Sequence, residues 1–215
     1  MVDHSMEILR SKAPSEVMDY GFVIDCLKSY RSPRAKLTQL LRTKALVRIK
    51  KGLYVFGPLF ARNPYSLETI ANMIYGPSYV SLEWALQKYG MIPEHVEEVT
   101  SITFKRNQIF TTPIGRFSYS HRLLLAYPVG IIRQQVSEYA SYLIATREKA
   151  LVDLLVIRRG QILKTSELEQ VLFEDFRIEL EDLQSLNITL LKEINNAHSH
   201  STITRLINFL SQEKS

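Results

Sequence analysis

Ten basic side chains, with no acidic residue among them, lie between Cys26 and Leu67. The chain has 27 Lys or Arg and 22 Asp or Glu, so the remainder keeps 17 basic and 22 acidic residues and is net negative. One short segment therefore holds the whole positive excess. Because a cationic field confined to one module attracts a polyanion, the composition favours nucleic-acid binding. The basic residues are Lys28, Arg31, Arg34, Lys36, Arg42, Lys44, Arg48, Lys50, Lys51 and Arg62.

A helix with one apolar and one polar face is predicted inside this segment. Ser32 can cap it, and Pro33 suits the first helical position because its missing N–H needs no partner there. Three leucines have the three-to-four spacing of a buried helix face: Leu37, Leu40 and Leu41. The opposite face carries Arg34, Lys36, Thr38, Gln39 and Arg42. Arg and Gln are the side chains that read base edges most directly.

A β-hairpin is predicted directly after this helix. Residues 46–50 and 53–56 have strand patterns, and Lys51-Gly52 forms the turn between them. Two helices are expected before Ser32, a short one over about residues 6–13 and another over about 15–30. Three helices followed by a hairpin indicate a winged helix-turn-helix that reads duplex DNA, with lysines at the hairpin tip on phosphates. The predicted DNA-binding residues are Ser32, Arg34, Lys36, Thr38, Gln39, Arg42, Lys44, Arg48, Lys50 and Lys51.

A second, mixed module is predicted from residue 61 onward. Ser66 and Thr146 are placed to cap helices, and short strands are expected over about 99–104, 108–112, 117–120 and 129–132. The last third of the chain is predicted to be helical. The expected fold class is therefore α+β, with a winged helix-turn-helix over residues 1–60 and, over 61–215, an α+β domain that has a small antiparallel sheet and a helical C-terminal part.

Motifs for catalysis, cofactors or membrane insertion are absent from the sequence. It has no glycine-rich phosphate loop, no nucleophile elbow and no paired acidic motif with metal-ligand spacing. We therefore expect no enzyme, no cofactor and no metal site. The sequence also has no apolar run of about 18 residues, no secretory signal pattern and a single cysteine, Cys26. These features favour a cytoplasmic protein without membrane contact.

Four segments, in order along the chain, resemble the AbiEi-type antitoxins, which are transcriptional regulators in bacterial viral-defence loci. The wing motif of that family is similar to residues 48–55, RIKKGLYV. Its central motif resembles residues 77–86, PSYVSLEWAL, followed by YGMIPE at 89–94. A strand pair resembles residues 110–115 and 117–119, and a further helix motif is similar to REKALVDLL at 147–155. The resemblance covers roughly residues 30–160.

The resemblance implies a two-domain protein of a type IV toxin–antitoxin, or abortive-infection, system for phage defence. Its winged helix would repress its own operon by binding an operator of inverted repeats. Its C-terminal domain would counteract a co-encoded nucleotidyltransferase-like toxin, without requiring a stable complex with that toxin.

The charged residues of the last motif are the candidates for an antitoxin surface. They are Arg147, Glu148, Lys149 and Asp153. A plain solvated helix face is the alternative, in which Lys149 and Asp153 form an i, i+4 ion pair worth a few tenths of a kcal/mol. In the central motif, Tyr79, Leu82 and Leu86 are expected in the core.

Two other functions remain open at this point. The chain could be a stand-alone winged-helix regulator whose second domain binds a ligand or protein partner. It could also be a nuclease component that uses the winged helix for targeting, which would need an acidic metal site that the sequence does not supply.

Overall fold

The computed structural model describes residues 4–122, 128–138, 140–159 and 162–213 and shows an α+β protein. Its first six elements are α1 (His4–Lys12), β1 (Val17–Asp19), α2 (Tyr20–Cys26), α3 (Pro33–Arg42), β2 (Leu46–Lys50) and β3 (Leu53–Phe56). The central elements are α4 (Leu67–Ile74), β4 (Ser78–Val80), α5 (Leu82–Lys88), β5 (Glu98–Thr103), β6 (Gln108–Thr112), β7 (Gly115–His121), β8 (Ile131–Ser137) and β9 (Ala140–Ala145). The helical remainder comprises α6 (Arg147–Leu154), α7 (Thr165–Glu169), α8 (Leu180–Gln184), α9 (Ile188–His198) and α10 (Ser201–Glu213), with π-helical turns at Leu155–Arg159 and Gln170–Asp175.

The N-terminal sheet has three antiparallel strands in the order β1-β3-β2. Strand β1 falls inside the helix predicted for residues 15–30, so that prediction is wrong at its start. Val17 and Met18 pair with Val55 and Tyr54, and α2 begins only after Asp19, whose side chain accepts a hydrogen bond from Phe22 N at 2.7 Å. A long-range partner in β3 thus overrides the local helical pattern, because strand pairing depends on residues far away in the chain.

Both faces of the N-terminal sheet are covered, and β3 is buried along its whole length. Side chains alternate across a strand. Tyr54 and Phe56 accordingly enter a hydrophobic cluster with α1, α2 and α3, in which Leu40 is 1% exposed. Leu53 and Val55 point the other way, into a second cluster that includes Ile70 of α4. The hairpin β2–β3 is therefore fixed between the N-terminal helices and the following part of the chain.

The second sheet has six strands in the order β6-β7-β5-β4-β9-β8. The predicted antiparallel sheet is wrong in two places, because β5 pairs with β7 and β4 pairs with β9 in parallel. Strands β4 and β9 pair over a single position, where Val80 lies opposite Ile144. Two strands, β4 and β9, were also missed: both lie directly before a helix, and β4 has only three residues.

The helices of the second part pack into one cluster with the sheet. Thr146 and Ser66 cap α6 and α4 as predicted, accepting hydrogen bonds from Lys149 N at 3.3 Å and Thr69 N at 3.1 Å. Leu191 of α9 and Leu206 of α10 are fully buried in the cluster that also contains Ile144 of β9. The helical C-terminal part thus shares its core with the sheet. Within the described ranges, every helix is too short or too polar to span a lipid bilayer.

Candidate nucleic-acid interface

One face of α3 is exposed along its length and carries basic and amide side chains. Leu37 and Leu40 are 5% and 1% exposed and anchor the opposite face in the N-terminal cluster. The exposed side chains are Arg34, Ala35, Thr38, Gln39 and Arg42. Ser32 occupies the predicted N-cap position without a side-chain capping bond, and Pro33 is the first residue of the helix. The small Ala35 leaves space between the longer side chains of this face.

Lys36 lies at the edge of this face rather than on it. Its side chain is half-buried, its Nζ donates to Gln39 Oε1 at 3.3 Å, and it stands 5.2 Å from the ring centroid of Tyr30. Its contact with Gln39 orients the amide of a residue that does lie on the exposed face. Lys36 therefore supports the α3 face instead of extending it.

Tyr20 joins the α3 face to the hairpin, a role that the sequence analysis did not predict. Its hydroxyl contacts Arg34 Nε at 3.2 Å, and its backbone N–H donates to the Gly52 carbonyl oxygen at 2.9 Å. The side chain is 38% exposed. The predicted helix over residues 15–30 hid this position, because Tyr20 is the first residue of a helix that starts after β1. The Asp19 N-cap directly before it is the signal that marks this start.

The basic side chains of the hairpin that are predicted to bind DNA differ in exposure, because some face solvent and one is half-buried. Lys51 and Arg48 are exposed, and Gly52 has φ +88°, a conformation that favours glycine at this turn. Lys50 is half-buried, and its Nζ donates to the carbonyl oxygen of Ile74 at the end of α4. Lys44 is exposed just beyond α3. The ammonium of Lys50 thus has a partner in the second part of the chain, and DNA contact by Lys50 stays a prediction.

Three acidic groups of the N-terminal part have partners of their own. Glu16 is buried and bound by Arg10 through two contacts of 2.9 Å. Asp25 forms an ion pair of 3.1 Å with Lys28, and Asp19 caps α2. Each of these carboxylates is therefore bound by a group of the N-terminal part.

The four residues of the predicted antitoxin surface lie on α6, which is packed in the core. Glu148 is 6% exposed, and Lys149 and Asp153 are both fully buried, so the surface prediction is wrong for these three. Glu148 accepts a hydrogen bond from Asn187 N at 2.9 Å. Arg147 is half-exposed and donates to Ser185 Oγ at 3.0 Å. Spacing showed that these residues share a helix, but burial of that helix on all sides depends on packing between elements distant in sequence.

A buried polar cluster surrounds the carboxylate of Asp153. The hydroxyls of Tyr79 and Ser81 donate to Asp153 Oδ2 at 2.8 and 2.9 Å, while Lys149 Nζ lies 3.2 Å from Oδ1. Burial lowers the pKa of Lys149, and the nearby Asp153 charge opposes that shift. Because both charges are enclosed, this cluster ties α6 to β4 and offers no accessible reacting atom.

A cleft of about 960 Å³ lies between the residues before β1, the start of α4 and the β8–β9 hairpin. On its wall, Lys88 Nζ bonds to Glu68 Oε1 at 2.9 Å, and Trp84 Nε1 contacts the same oxygen at 3.4 Å. Burial alone would raise the pKa of Glu68, but these donors together bring it below its ordinary value. The cleft has room for a small polar molecule.

Metal binding and similarity to known proteins give no further indication of function. Among the residues that the structure describes, no three His, Cys, Asp or Glu side chains are grouped so as to hold a metal ion. A comparison with protein-family models and with curated proteins finds no match for this chain.

Proposed function

We propose that this chain binds double-stranded DNA through a winged helix-turn-helix formed by residues 4–60. The observation that carries the proposal is the exposed α3 face, which is basic and amide-bearing and lies beside a hairpin that ends in Lys51. In this arrangement α3 enters the major groove, and the β2–β3 hairpin follows the flanking sugar–phosphate backbone. Arg34 and Gln39 read base edges, while Lys51, Arg48 and Lys44 neutralise phosphates.

Two features of the N-terminal part support this assignment. The order of its elements, with a third helix followed by a two-stranded hairpin, is the order that a winged helix-turn-helix requires. Tyr20 bonds to Arg34 and to the turn residue Gly52, so α3 and the hairpin tip are connected through a single side chain and its backbone. A rigid connection of this kind keeps a helix and a hairpin in one register on a duplex.

We further propose that the protein is an antitoxin of the AbiEi type, which represses its own operon and counteracts a co-encoded nucleotidyltransferase-like toxin. This part rests on the resemblance of the four motifs. The wing motif forms the β2–β3 hairpin, and the central motif forms β4 and α5. The α6 motif is buried, so its charged residues stabilise the fold, and antitoxin activity is proposed for residues 61–215 without those side chains as the contact surface.

Binding to the DNA upstream of the protein's own gene tests the first proposal. The purified full-length protein is titrated into that fragment and into a random fragment of equal length, at two salt concentrations. We expect retention of the upstream fragment at protein concentrations that leave random DNA free. Equal affinity for both fragments, or no binding to either at low salt, would contradict the proposal.

Co-expression of the adjacent reading frame tests the antitoxin proposal. That frame is induced with and without this protein, and growth is scored. We expect growth arrest that the full-length protein relieves. An Arg34→Ala, Arg42→Ala double variant should still relieve it, because these side chains lie on the DNA-facing helix. If induction of the adjacent reading frame does not arrest growth, the antitoxin proposal is contradicted, whereas the DNA-binding proposal is unaffected.

The cleft beside Glu68 favours one alternative function, that of a regulator controlled by a small ligand. Its walls come from the N-terminal part, from α4 and from the β8–β9 hairpin, so an occupant would touch several elements at once. This alternative requires that the neighbouring gene does not arrest growth. It also requires that the operator affinity changes in Tyr142→Ala, a substitution that enlarges the cleft. An unchanged operator affinity in that variant would remove its support.

A further inference from the structure

Strand β8 forms an exposed edge of the six-stranded sheet. Among the residues that the structure describes, β9 is the only strand paired with β8. Ile132 and Val136 are 41% and 50% exposed on this strand. Its inner neighbour β9 contacts β4 at one registered pair, so most of the β8–β9 hairpin extends past the rest of the sheet. An open edge is a template for another strand.

The backbone hydrogen bonds define which groups of β8 point outward. Thr146 N donates to the Gly130 carbonyl oxygen at 2.8 Å, so Gly130 faces β9. Leu143 N donates to Asn72 Oδ1 at 2.6 Å, on the side of β9 away from β8, so its partner Arg133 is a non-hydrogen-bonded position. Because these positions alternate in an antiparallel pair, the N–H and C=O groups of Arg133 and Gln135 point toward the open edge.

We propose that β8 pairs antiparallel with β8 of a second copy of this chain, about a two-fold axis through Gln134. In this register Arg133 of one copy lies opposite Gln135 of the other, and both residues present outward-facing backbone groups. Each such pair can exchange two backbone hydrogen bonds, and the axis generates the pair twice. The two six-stranded sheets then form one continuous sheet.

The side chains of β8 are complementary to themselves in the same register. Ile132 lies opposite Val136 of the second copy, which gives both exposed apolar groups a partner. Gln134 lies opposite Gln134, and a carboxamide can donate and accept at once. The one charged residue of the strand, Arg133, meets a neutral glutamine, and its Nε already donates to Ser141 Oγ at 2.7 Å on β9. No like charges face each other across the axis.

The opposite edge, β6, is less suited to this pairing. It has five residues, against seven in β8. Its central Phe110 packs against Tyr75 and Tyr119 with ring centroids 5.6 and 5.7 Å apart, so this ring already has partners within its own chain.

The β8 strand itself limits how many backbone hydrogen bonds the dimer can form, because its register shifts between Gln135 and Ser137. We therefore expect a dimer through β8 that is weak and depends on protein concentration.

A two-fold dimer would also relate the α3 helices of the two copies by symmetry. That arrangement matches an operator made of inverted repeats, a consequence that rests on the proposed DNA binding. The pairing of β8 itself does not depend on it. Self-association is therefore measured without DNA, so that failure of the dimer and failure of DNA binding are separate results.

Sedimentation velocity over a range of concentrations tests self-association. We expect the full-length protein to shift from monomer to dimer, and Gln134→Lys to remain monomeric because two lysines then face each other across the axis. Ile109→Lys on β6 is the matched control and should dimerise as the unaltered chain does. Thermal unfolding establishes that both exposed substitutions keep the fold. A Gln134→Lys dimer, or loss of dimer in Ile109→Lys alone, would overturn the proposal.

Disulfide trapping tests the register. Directly opposed non-hydrogen-bonded residues have Cα atoms about 4.5 Å apart, within the range that a disulfide spans. Gln134→Cys should therefore form a covalent dimer on mild oxidation, because the two cysteines lie directly opposite each other. Gln135→Cys should form much less covalent dimer, because each Gln135 lies opposite Arg133 and only diagonally across from Gln135 of the second copy. The native Cys26 is 4% exposed and serves as an internal background. Equal cross-linking of the two variants, or cross-linking of neither while a dimer persists, would refute this register.

Discussion

Lys149 and Asp153 stand one helical turn apart on α6 and form an ion pair of 3.2 Å with both side chains fully buried. Asp153 also accepts hydrogen bonds from the hydroxyls of Tyr79 and Ser81. Two hydroxyl groups therefore bind Oδ2 of the carboxylate, while the ammonium lies beside Oδ1. Because these hydroxyls still bind the carboxylate when the ammonium is removed, we expect removal of the two charges to differ in cost.

Asp153→Ala should lower the free energy of unfolding by about 3–5 kcal/mol, because it leaves the Lys149 charge buried without its counter-charge. Lys149→Met should cost less, since Tyr79 and Ser81 still bind the remaining carboxylate. The double variant Lys149→Met, Asp153→Leu should recover part of the loss. Urea unfolding followed by circular dichroism measures all three.

The control for this experiment is an exposed pair of similar spacing. Asp25 and Lys28 on the N-terminal surface are 3.1 Å apart and mostly exposed, so Asp25→Ala should cost roughly 0–1 kcal/mol. If Asp153→Ala were as mild as Asp25→Ala, water would have to reach the Lys149 site, and its description as enclosed would be wrong.

Gly130→Ala should destabilise the protein through a clash with Lys149. Gly130 has φ +80°, and an added Cβ would lie 2.8 Å from Lys149 Cβ and 3.1 Å from Ile194 Cδ1. Gly90 is a matched control, with φ +74°, where an added Cβ would meet no atom within 4 Å. Both alanines share the backbone strain, so Gly130→Ala should cost roughly 1–3 kcal/mol more than Gly90→Ala in urea unfolding. Equal costs would show that α6 shifts freely away from β8.

Glu68 should contribute to a loss of stability in acid. The pKa of Glu68 in the folded protein lies below its ordinary value of 4.5, because burial, which would raise it, is outweighed by bonds from Lys88, from the backbone and from Trp84. At a pH between the folded-state pKa and 4.5, the unfolded state binds more protons at Glu68 than the folded state does. The stabilisation is therefore complete above 4.5 and is lost as pH falls through the folded-state pKa.

The measurement is the free energy of unfolding between neutral pH and pH 3. Glu68→Gln should be less stable than the unaltered chain at neutral pH and should lose less stability on acidification. Glu174→Gln, at an exposed position, serves as the control and should follow the unaltered chain. Identical pH dependence in Glu68→Gln and the unaltered chain would place the acid sensitivity elsewhere.

Gln39→Ala should weaken discrimination between the operator and random DNA. A bidentate base contact is worth about 1–3 kcal/mol of selectivity, so the operator affinity should fall by that amount while affinity for random DNA is nearly unchanged. Arg34→Ala should act similarly. Competition binding with labelled operator gives the ratio, and Lys12→Ala, on the exposed side of α1, is the control. Unchanged selectivity in Gln39→Ala would mean that α3 does not face the bases.

Lys51→Ala should instead weaken binding to every DNA sequence. Its side chain is exposed at the hairpin turn, where it would neutralise a phosphate. The slope of log affinity against log salt should become shallower by about one, because one fewer counterion is released. Lys50→Ala should leave that slope intact, because Lys50 Nζ bonds to the Ile74 carbonyl oxygen. A slope change in Lys50→Ala of the same size would contradict this assignment.

Local sequence signals predicted the elements that depend on neighbouring residues. Pro33, the leucine spacing and the change to a strand pattern at Leu46 located α3 and the β2–β3 hairpin correctly. Ser66 and Thr146 cap their helices as expected. Each of these features is decided within about one turn of the chain, by a cap, a fixed φ or a periodic apolar face.

Tertiary structure decided which of those faces meet solvent and which strands meet each other. The same helix pattern describes α3 and α6, yet Gln39 is exposed and Lys149 is fully buried. Strand β1, the parallel pairs of the six-stranded sheet and the link from Tyr20 to Arg34 join residues that are distant along the chain. The sequence alone determined the α+β class and the concentration of positive charge before Leu67. Burial and pairing required the folded chain, because both depend on the surfaces that pack against each element rather than on the element itself.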